Sequence, residues 1–233
     1  MKTLAFDTST LATGVALVED DRLLAEFILQ GQLGHSEALI EMTEDIFKKL
    51  DLDLKEVDLI SVGTGPGSFT GLRIAVTAAK ILAQALSRPL IGLSSLAALA
   101  ENLPLEGTLV PLLDARRNRV YRGVFKRGKE GLIRLEKDDA LPLEDLVASL
   151  EDGPQLIFTG DGLGTYKDPL KEAFPQALFI EGANRGIRPS SLAFLGARLY
   201  KEGHRTNLYD LAPNYVRESQ AMREYKKRMG QDG

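Results

Sequence analysis

The alternation of apolar and polar positions in the first 103 residues predicts a mixed α/β unit. Three short strands open the chain at 3–6, 14–18 and 23–29, with Asp20-Asp21 as a hairpin turn between the second and third. Helical periodicity at 36–50, 69–86 and 95–102 then alternates with strands at 59–62 and 90–93. The resulting order, βββαβαβα, is typical of a ribonuclease H-like unit.

After Pro104 the same kinds of segment return in shorter form. Strands are predicted at 108–113, 119–126, 131–136, 155–159 and 177–180, and helices at 143–150, 168–174 and 190–201. Their order predicts a degenerate copy of the first half, although no sequence repeat is visible. We therefore expect subdomains over 1–103 and 104–218. The charged residues 219–233 are expected to form a mobile tail.

Two of these helices are more apolar than packing on one side requires. The apolar face of helix 36–50, for which Ser36 is the expected N-cap, spans roughly 160° against the roughly 100° needed for a core. Helix 69–86 carries only two charges, Arg73 and Lys80, and apolar residues surround the rest. Such helices need cover on a second side, either from this chain or from another protein. The residues alone leave both explanations open.

Composition narrows the classes of function. The chain has 233 residues, 44% hydrophobic and 27% charged, and a net charge of -4, so no overall basic field draws it to nucleic acid or to membranes. It contains no cysteine, which excludes disulfides, thiolate metal sites and cysteine nucleophiles. No apolar run approaches the roughly 20 residues of a membrane span, and no apolar leader opens the chain. We expect a cytoplasmic protein.

The turn after the first strand, Asp7-Thr8-Ser9-Thr10, is the first candidate for chemistry. A carboxylate at a strand end beside hydroxyls is able to hold hydrated Mg²⁺ and to contact nucleotide phosphates. Actin-like ATPases use glycine where Ser9 stands, and a Cβ at that position restricts the approach of a phosphate. The prediction is therefore a vestigial site with weak ATP or ADP contact. The alternative is a polar turn that caps its own amides.

A glycine-rich stretch, Gly63-Thr64-Gly65-Pro66-Gly67, joins a predicted strand to helix 69–86. Backbone amides at such a helix start are able to bind an anion. Pro66-Gly67 equally suits a structural type II turn. The stretch is not a Walker A loop, because Leu72-Arg73 follows it in place of Lys-Ser or Lys-Thr.

Other residues argue against catalysis by this chain alone. The two histidines, His35 and His204, are isolated from each other, and no Gly-x-Ser-x-Gly nucleophile motif is present. Basic residues cluster in one predicted hairpin, where a solvated sheet face is favoured over a phosphate contact. They are Arg116, Arg117, Arg119, Arg122, Lys126, Arg127 and Lys129.

Several motifs together resemble a known family. They are Leu4-Ala5-Phe6-Asp7-Thr8-Ser9-Thr10, His35-Ser36-Glu37, Gly65-Pro66-Gly67-Ser68-Phe69-Thr70-Gly71-Leu72-Arg73, Asp114-Ala115-Arg116-Arg117, Gly160-Asp161-Gly162 and Pro213-Asn214-Tyr215-Val216-Arg217. In this order they look like the TsaB (YeaZ) family of bacterial tRNA threonylcarbamoyladenosine biosynthesis proteins. The resemblance covers nearly the whole chain, and the run from Gly65 to Arg73 is its most specific part.

The resemblance implies a duplicated, actin-like ATPase fold and a non-catalytic role. In this family the paralogue TsaD transfers the threonylcarbamoyl group to tRNA, TsaB is its heterodimeric partner, and the ATPase TsaE joins them. The paralogue's His-x-x-x-His metal motif has no counterpart in Leu93-Ser94-Ser95-Leu96-Ala97-Ala98-Leu99. The resemblance therefore implies no required cofactor, indirect contact with tRNA, and a homodimer when TsaD is absent. The alternatives are a self-sufficient actin-like ATPase or kinase and, less favoured, a metallopeptidase.

In this family the first two helices form a bundle with the partner. The resemblance thus assigns the outer faces of helices 36–50 and 69–86 to the interface. The residues expected there are Leu39, Ile40, Met42, Thr43, Ile46, Phe47, Leu72, Ala75, Val76, Ala78, Ala79 and Leu82.

Overall fold

The structure is a computed structural model, and it describes residues 1–31, 34–153 and 155–216. Its first half forms a five-stranded mixed sheet in the order β3-β2-β1-β4-β5. The strands are β1 (Lys2–Asp7), β2 (Ala12–Glu19), β3 (Arg22–Gln30), β4 (Leu59–Gly65) and β5 (Leu90–Ser94). The helices are α1 (His35–Leu50), α2 (Phe69–Leu86) and α3 (Ser95–Glu101). The hairpin predicted at Asp20-Asp21 is confirmed, with Asp20 at a φ of 53°.

The second half repeats this architecture in shorter form. Its sheet has the order β10-β9-β6-β7-β8, so β6 lies between an antiparallel meander and two parallel strands, as β1 does in the first sheet. The strands are β6 (Gly107–Asp114), β7 (Arg119–Gly128), β8 (Gly131–Pro142), β9 (Leu156–Thr159) and β10 (Leu178–Phe179). The helices are α4 (Leu143–Ser149), α5 (Leu163–Ala173) and α6 (Pro189–Lys201). Short 3₁₀ turns lie at Leu54–Glu56 and Gly182–Arg185. The predicted duplication with a degenerate second half is confirmed.

The predicted boundary at residue 103 does not divide the core. Helix α6 packs on β1, β2 and β4 of the first sheet, whereas α3 packs on β6, β7 and β8 of the second. One apolar cluster joins the two sheets through these helices and includes Ala5, Leu99, Phe125 and Leu192. Helix α6 of the predicted C-terminal subdomain, 104–218, therefore lies on the first sheet, and the division into two subdomains at residue 103 stays a prediction. The predicted tail, 219–233, lies outside the described residues.

Two helix starts differ from prediction. Helix α1 begins at His35, one residue earlier than expected, and its N-cap is Gly34 without a side-chain hydrogen bond, so Ser36 is not the cap. Helix α5 begins at Leu163 and not at 168, with Pro169 inside it. Proline is common in the first turn of a helix, because the amides there have no hydrogen-bond partner within the helix. Pro169 therefore favours a predicted helix start near residue 168, five residues later than the start in the structure.

Helices α1 and α2 cover the outer face of the first sheet. Among the described residues, α2 is the one helix whose length and composition would let it cross a membrane. In the structure its Ala75, Val76 and Ala79 pack into the core of the sheet. Packing on the first sheet thus explains the apolar residues on the inner side of α2. It does not explain the apolar residues on the outer side.

Candidate functional site

A cleft of about 530 Å³ lies between the two halves. It is lined by the turn after β1, the start of α2, the turn between β6 and β7, and the segment after α6. The lining residues include Ser9, Thr10, Leu11, His35, Pro66, Gly67, Ser68, Phe69, Asp114, Arg116, Arg117, Tyr121, Asp161, Asn214, Tyr215 and Val216. The carboxyl ends of β1 and β6 both point to this cleft, as expected for ligand sites in α/β sheets.

The turn after β1 packs directly against the start of α2. The Ser68 amide donates a hydrogen bond of 2.6 Å to the Ser9 carbonyl, and the Thr8 hydroxyl donates one of 2.6 Å to the Gly71 carbonyl. A Cβ on Gly71 would lie 1.8 Å from the Thr8 carbonyl oxygen. The close approach therefore requires glycine, and it fixes the turn after β1 against the start of α2.

The peptide between Gly65 and Pro66 is cis, and Gly67 does not have the positive φ that a type II turn requires. The predicted type II turn is therefore wrong. The glycine-rich stretch is nevertheless structural, because Gly67 carries no Cβ that would meet the Ser9 carbonyl oxygen at 2.2 Å.

Asp7 lies beneath the cleft and not in it. Its Oδ1 accepts hydrogen bonds from the Ser9 amide (3.0 Å) and the Ser9 hydroxyl (2.8 Å). Its Oδ2 is buried against Gly63 without a hydrogen-bond partner among the described residues. Burial raises the pKa of Asp7 to about 6, and the hydrogen bonds from Ser9 oppose this rise.

The structure places the four residues of the predicted nucleotide site at 7–10 at different depths, and weak nucleotide contact there stays a prediction. Asp7 and Thr8 are buried and do not line the cleft, whereas Ser9 and Thr10 do line it. Asp7 Oδ1 and the hydroxyls of Thr8 and Ser9 bind one another or the start of α2, as the alternative of a polar turn predicts. Asp7 Oδ2, in contrast, has no hydrogen-bond partner among the described residues.

The turn between β6 and β7 forms a second wall of the cleft. Arg116, Arg117 and Asn118 have φ values of 62°, 55° and 55°, a left-handed run that residues with a Cβ seldom adopt. The Asp114 carboxylate accepts a hydrogen bond of 2.8 Å from the Arg116 amide and one of 3.3 Å from the Tyr166 hydroxyl. Both arginine side chains are exposed. Within the described part of the chain, neither guanidinium forms a hydrogen bond or an ion pair.

The rest of the basic hairpin does not form the solvated face that the sequence favoured. Arg122 is 8% exposed and pairs with Glu136 at 2.6 Å. Arg127 pairs with Glu101 at 3.0 Å, and Arg119 donates a hydrogen bond to the Ala140 carbonyl. Lys126 and Lys129 are exposed. The solvated-face prediction is therefore wrong for the three paired arginines.

Asp161, at the end of β9, approaches Asp114 and fixes its position. Its Oδ1 accepts a hydrogen bond of 3.1 Å from the Asp114 amide. Burial raises the pKa of Asp161, and the nearby Asp114 charge raises it further. His35, on the first-half side, shares a hydrogen bond of 2.7 Å between its Nδ1 and Thr13 Oγ1. Among the described residues, no three acidic or histidine side chains converge on a position for a metal ion.

The segment after α6, residues 202–216, crosses the first half and ends at the cleft. Lys80 of α2 donates hydrogen bonds to the carbonyls of Tyr209 (3.3 Å) and Leu211 (3.0 Å). Asn214 donates its amide to the Thr64 carbonyl at 2.7 Å. The Tyr215 ring stacks on Phe69 at 4.5 Å between ring centres.

Comparison with known proteins decides the family. Residues 30–225 match the family model described as TsaD: tRNA N6-adenosine threonylcarbamoyltransferase. The tRNA threonylcarbamoyladenosine biosynthesis protein TsaB of Bacillus subtilis (strain 168) is 34% identical over 225 residues, which cover 95% of this chain and 96% of that protein. The chain belongs to the TsaB family.

Solved structures agree with this assignment. YeaZ from Pseudomonas aeruginosa is 29% identical and superposes with a TM-score of 0.78, covering 92% of this chain and 99% of that one. The ROK hexokinase from Thermus thermophilus, at 16% identity, superposes with a TM-score of 0.53 over 86% of this chain and 100% of its own. The second likeness shows the fold alone. The predicted actin-like ATPase fold and the predicted TsaB resemblance are both confirmed.

The structure divides the interface residues expected for a TsaB-family chain. Seven of the twelve are buried in the chain's own core and therefore do not form its surface: Leu39, Ile46, Phe47, Leu72, Ala75, Val76 and Ala79. They are corrected to core residues because they face the sheet. Ile40 is 58% exposed, and Met42, Thr43, Ala78 and Leu82 are half-buried.

Two features of this TsaB-family site escaped the sequence analysis. Ile81 of α2 is 64% exposed, which is more than any of the residues expected at the interface. Because α2 is apolar on nearly all sides, its sequence pattern does not distinguish Ile81 as an interface residue. The contact of Tyr215 with Phe69 and Arg73 joins residues far apart in the chain. Only the motif containing Tyr215 pointed to that part of the chain.

Proposed function

We propose that this chain is a non-catalytic partner subunit in the formation of N6-threonylcarbamoyladenosine in tRNA. The observation that carries this proposal is the outer side of α2, an uncharged stripe that the chain leaves uncovered. Its members recur at helical spacing on one side: Thr70, Ile74, Thr77, Ala78, Ile81 and Ala85. Exposed isoleucine at the centre of such a stripe is typical of a protein interaction site.

The two charges of α2 are not part of this stripe. The Lys80 ammonium binds the carbonyls of Tyr209 and Leu211, and Arg73 Nε donates a hydrogen bond of 2.9 Å to the Tyr215 hydroxyl. The segment after α6 thus binds both charged side chains of α2 through hydrogen bonds. A charged residue on the outer stripe would prevent a helix from packing there, and none is present.

Helix α1 supplies the edge of the surface. Ile40 continues the apolar area, while Glu37, Glu41, Glu44 and Asp45 are exposed beside it. The surface is therefore apolar at its centre, and its rim on α1 is acidic toward the start of the helix and basic at Lys48 and Lys49 near its end. Since opposite charges steer association, the matching partner surface is a helix pair with an apolar stripe and a flank of complementary charges.

We assign this partner as TsaD, with TsaE joining the larger complex. The assignment is supported by the matching family model, described as the threonylcarbamoyltransferase TsaD, and by the relative named as the threonylcarbamoyladenosine biosynthesis protein TsaB. In this role the chain works in the cytoplasm, activates TsaD as a scaffold and contacts tRNA only through it. It needs no cofactor of its own. Without TsaD the same stripe pairs with a second copy as a homodimer.

The second candidate is a self-sufficient ATPase or kinase, which the actin-like fold favours. The turn after β1 argues against it, because Asp7 is buried beneath the cleft and Asp7 Oδ1 and the Thr8 hydroxyl already bind groups of the chain itself. A metallopeptidase has no supporting ligand set among the described residues. Sustained hydrolysis of ATP or peptide by the purified chain would overturn the scaffold proposal.

Size-exclusion chromatography with light scattering, with and without TsaD, tests the docking surface. Ile81→Glu is expected to weaken the complex at least tenfold, because it places a charge in the centre of an apolar interface. Ile133→Glu is the matched control, since Ile133 is 58% exposed on β8, in the other half of the chain. Equal weakening by both variants, or by neither, would contradict the proposed surface.

A further inference from the structure

The outer face of the first sheet carries a third element beside α1 and α2, the turn at 206–211 in the segment after α6. Helix α1 packs on β2 and β3, and α2 packs mainly on β4. The turn packs on the edge strand β5, where the Gly92 amide donates a hydrogen bond of 3.4 Å to the Thr206 hydroxyl. A Cβ on Gly92 would lie 2.4 Å from Leu211 Cδ1. Across the sheet the order is therefore α1, α2 and the turn, with the stripe of α2 in the middle.

Hydrogen bonds and packing hold the backbone of this turn in one conformation. The Tyr209 amide donates a hydrogen bond of 3.0 Å to Asn207 Oδ1, and the Leu211 amide donates one of 3.1 Å to the Asn207 carbonyl. Leu208 and Leu211 pack against the apolar core between the first sheet and helices α1 and α2. The Lys80 ammonium binds the carbonyls of Tyr209 and Leu211 from the side of α2. The turn is thus fixed before a partner binds, and little backbone entropy remains to be lost on binding.

Tyr209 presents its ring to solvent from this turn. The residue is 79% exposed, the highest value among the exposed large hydrophobic residues of the described chain. A single exposed hydrophobic residue is ordinary, so the position of the ring decides its meaning. Lys80, which holds the turn, directly precedes Ile81 and lies about 100° from it around α2. The ring is therefore at the level of Ile81 along the helix, on the flank of the stripe opposite α1.

The two flanks of the stripe differ in chemistry. On α1 the apolar area ends in a charged rim, acidic toward the start of the helix and basic at its end. On the other flank Lys80 is bound to carbonyls, Asp210 accepts a hydrogen bond of 2.7 Å from the Asn207 side chain, and the exposed aromatic ring lies beside them. A partner of different sequence is able to match each flank separately, whereas a two-fold pair of copies is restricted to the same two flanks.

We propose that Tyr209 is an aromatic anchor of the docking surface, and that its ring enters an apolar pocket of TsaD beside the helices that cover α2. This inference rests on the proposed function, since it takes TsaD as the occupant of the stripe, and it adds the turn at 206–211 to that surface. Tyrosine is enriched among the residues that dominate binding energy, because it buries a large rigid ring and keeps a polar hydroxyl at its tip.

Titration calorimetry of the full chain with TsaD tests this anchor. Tyr209→Ser is expected to raise the dissociation constant at least about tenfold, as the loss of a buried interface aromatic does. Tyr209→Phe keeps the ring and is expected to stay within about twofold of the parent. Leu178→Ser is the matched control, since Leu178 is 49% exposed on β10 in the other half of the chain. Thermal unfolding of Tyr209→Ser should match that of the parent, because so exposed a ring contributes little to the chain's own core.

Ile81→Glu, measured in the same series, separates this inference from the proposed function. Parent-like binding by Tyr209→Ser, with binding by Ile81→Glu weakened, would overturn the anchor and leave the proposed surface intact. Parent-like binding by both variants would overturn the surface and the anchor together. Equal weakening by Tyr209→Ser and Leu178→Ser would show that the loss is not specific to the turn and would also overturn the anchor. Light scattering of the chain alone examines self-association: if Tyr209→Ser weakens it as strongly as it weakens the TsaD complex, the assignment of the ring to TsaD is wrong.

Discussion

The Arg73 Nε–H donates a hydrogen bond of 2.9 Å to the Tyr215 hydroxyl, although 142 residues separate the two in the chain. This contact joins the start of α2, which lines the cleft, to the segment that follows α6. The same segment contacts Lys80 two turns further along α2. One helix therefore presents its outer stripe to solvent, while its polar side holds the chain that completes the cleft.

This arrangement predicts that Lys80 keeps the segment in place. Lys80→Met retains the aliphatic stem but removes the hydrogen bonds to the carbonyls of Tyr209 and Leu211, each worth roughly 1–3 kcal/mol for a charged donor. We expect amide hydrogen exchange in residues 209–216 to accelerate roughly tenfold, while exchange in β1 and β4 is unchanged. Lys49→Met, on the exposed side of α1, is the control. Unchanged exchange in the segment would show that Lys80 does not hold it.

Asp7 predicts a measurable dependence of stability on pH. Burial raises its pKa from 3.8 to about 6 in the folded chain, so the folded state binds more protons than the unfolded state between these values. Stability from this group therefore falls as the pH rises from 3.8 to about 6, and the full cost, of about 3 kcal/mol, is present above that range.

Asp7→Asn removes this cost while its amide oxygen still accepts from Ser9. At pH 7.5 we expect the variant to be more stable than the parent in urea unfolding, with the difference vanishing below pH 4. Asp21→Asn, at an exposed turn, is the control and should show no such trend. A parent–variant difference independent of pH would mean that Asp7 is not buried as a titrating carboxyl.

Glu26 of β3 joins this strand to the start of α6 through hydrogen bonds. Its Oε2 accepts a hydrogen bond of 3.0 Å from Arg188 Nε, and its Oε1 accepts one of 2.9 Å from the Ser190 amide at the start of α6. Burial favours a raised pKa for Glu26, but the bonds from Arg188 and Ser190 outweigh it and lower the pKa below 4.5. The ionised carboxylate thus acts as an N-cap supplied by another element.

Glu26→Gln should therefore destabilise the chain by about 1–3 kcal/mol at neutral pH, because it weakens a charge-assisted pair at a helix start. A lowered pKa contributes stability above 4.5 that is lost as the pH falls, so the difference from the parent should shrink in acid. Urea unfolding at pH 7 and pH 3.5 measures both values, with exposed Glu130→Gln as the control. An equal loss at the two pH values would contradict the role of the ionised carboxylate.

The sequence predicts the elements of this fold better than their assembly. The sequence predicts helix α2 over 69–86, and the helix begins and ends at those residues, with Ser68 as its N-cap and Ser87 as its C-cap in the left-handed conformation. In contrast, nothing in the periodicity of α6 shows that this helix packs on β1, β2 and β4 of the first sheet. The destination of an amphipathic helix depends on the chain's path through space, which the pattern along one helix does not contain.

The same limit applies to the candidate sites. The motifs containing Asp7, Phe69, Arg116 and Tyr215 correctly marked segments that meet at one cleft. They did not show that Asp7 would lie beneath it, because the depth of a turn depends on the close approach that Gly67 and Gly71 allow. The sequence also does not show which arginines of the hairpin are paired, because the partners of Arg122 and Arg127, Glu136 and Glu101, lie on other elements.

The difference between a core residue and a surface residue within one apolar run of α2 can be tested at Ala78 and Ala79. Ala79 is fully buried against the sheet, whereas Ala78, about 100° further round the helix, is half-buried beside the outer stripe. Ala79→Glu is expected to cost more than about 4 kcal/mol and to unfold the chain, because it places an unpaired carboxylate in the core. Ala78→Glu should leave a folded chain by circular dichroism and thermal unfolding, and weaken association with TsaD. If Ala78→Glu unfolds the chain as Ala79→Glu does, that side of α2 is internal, and the partner surface must lie elsewhere.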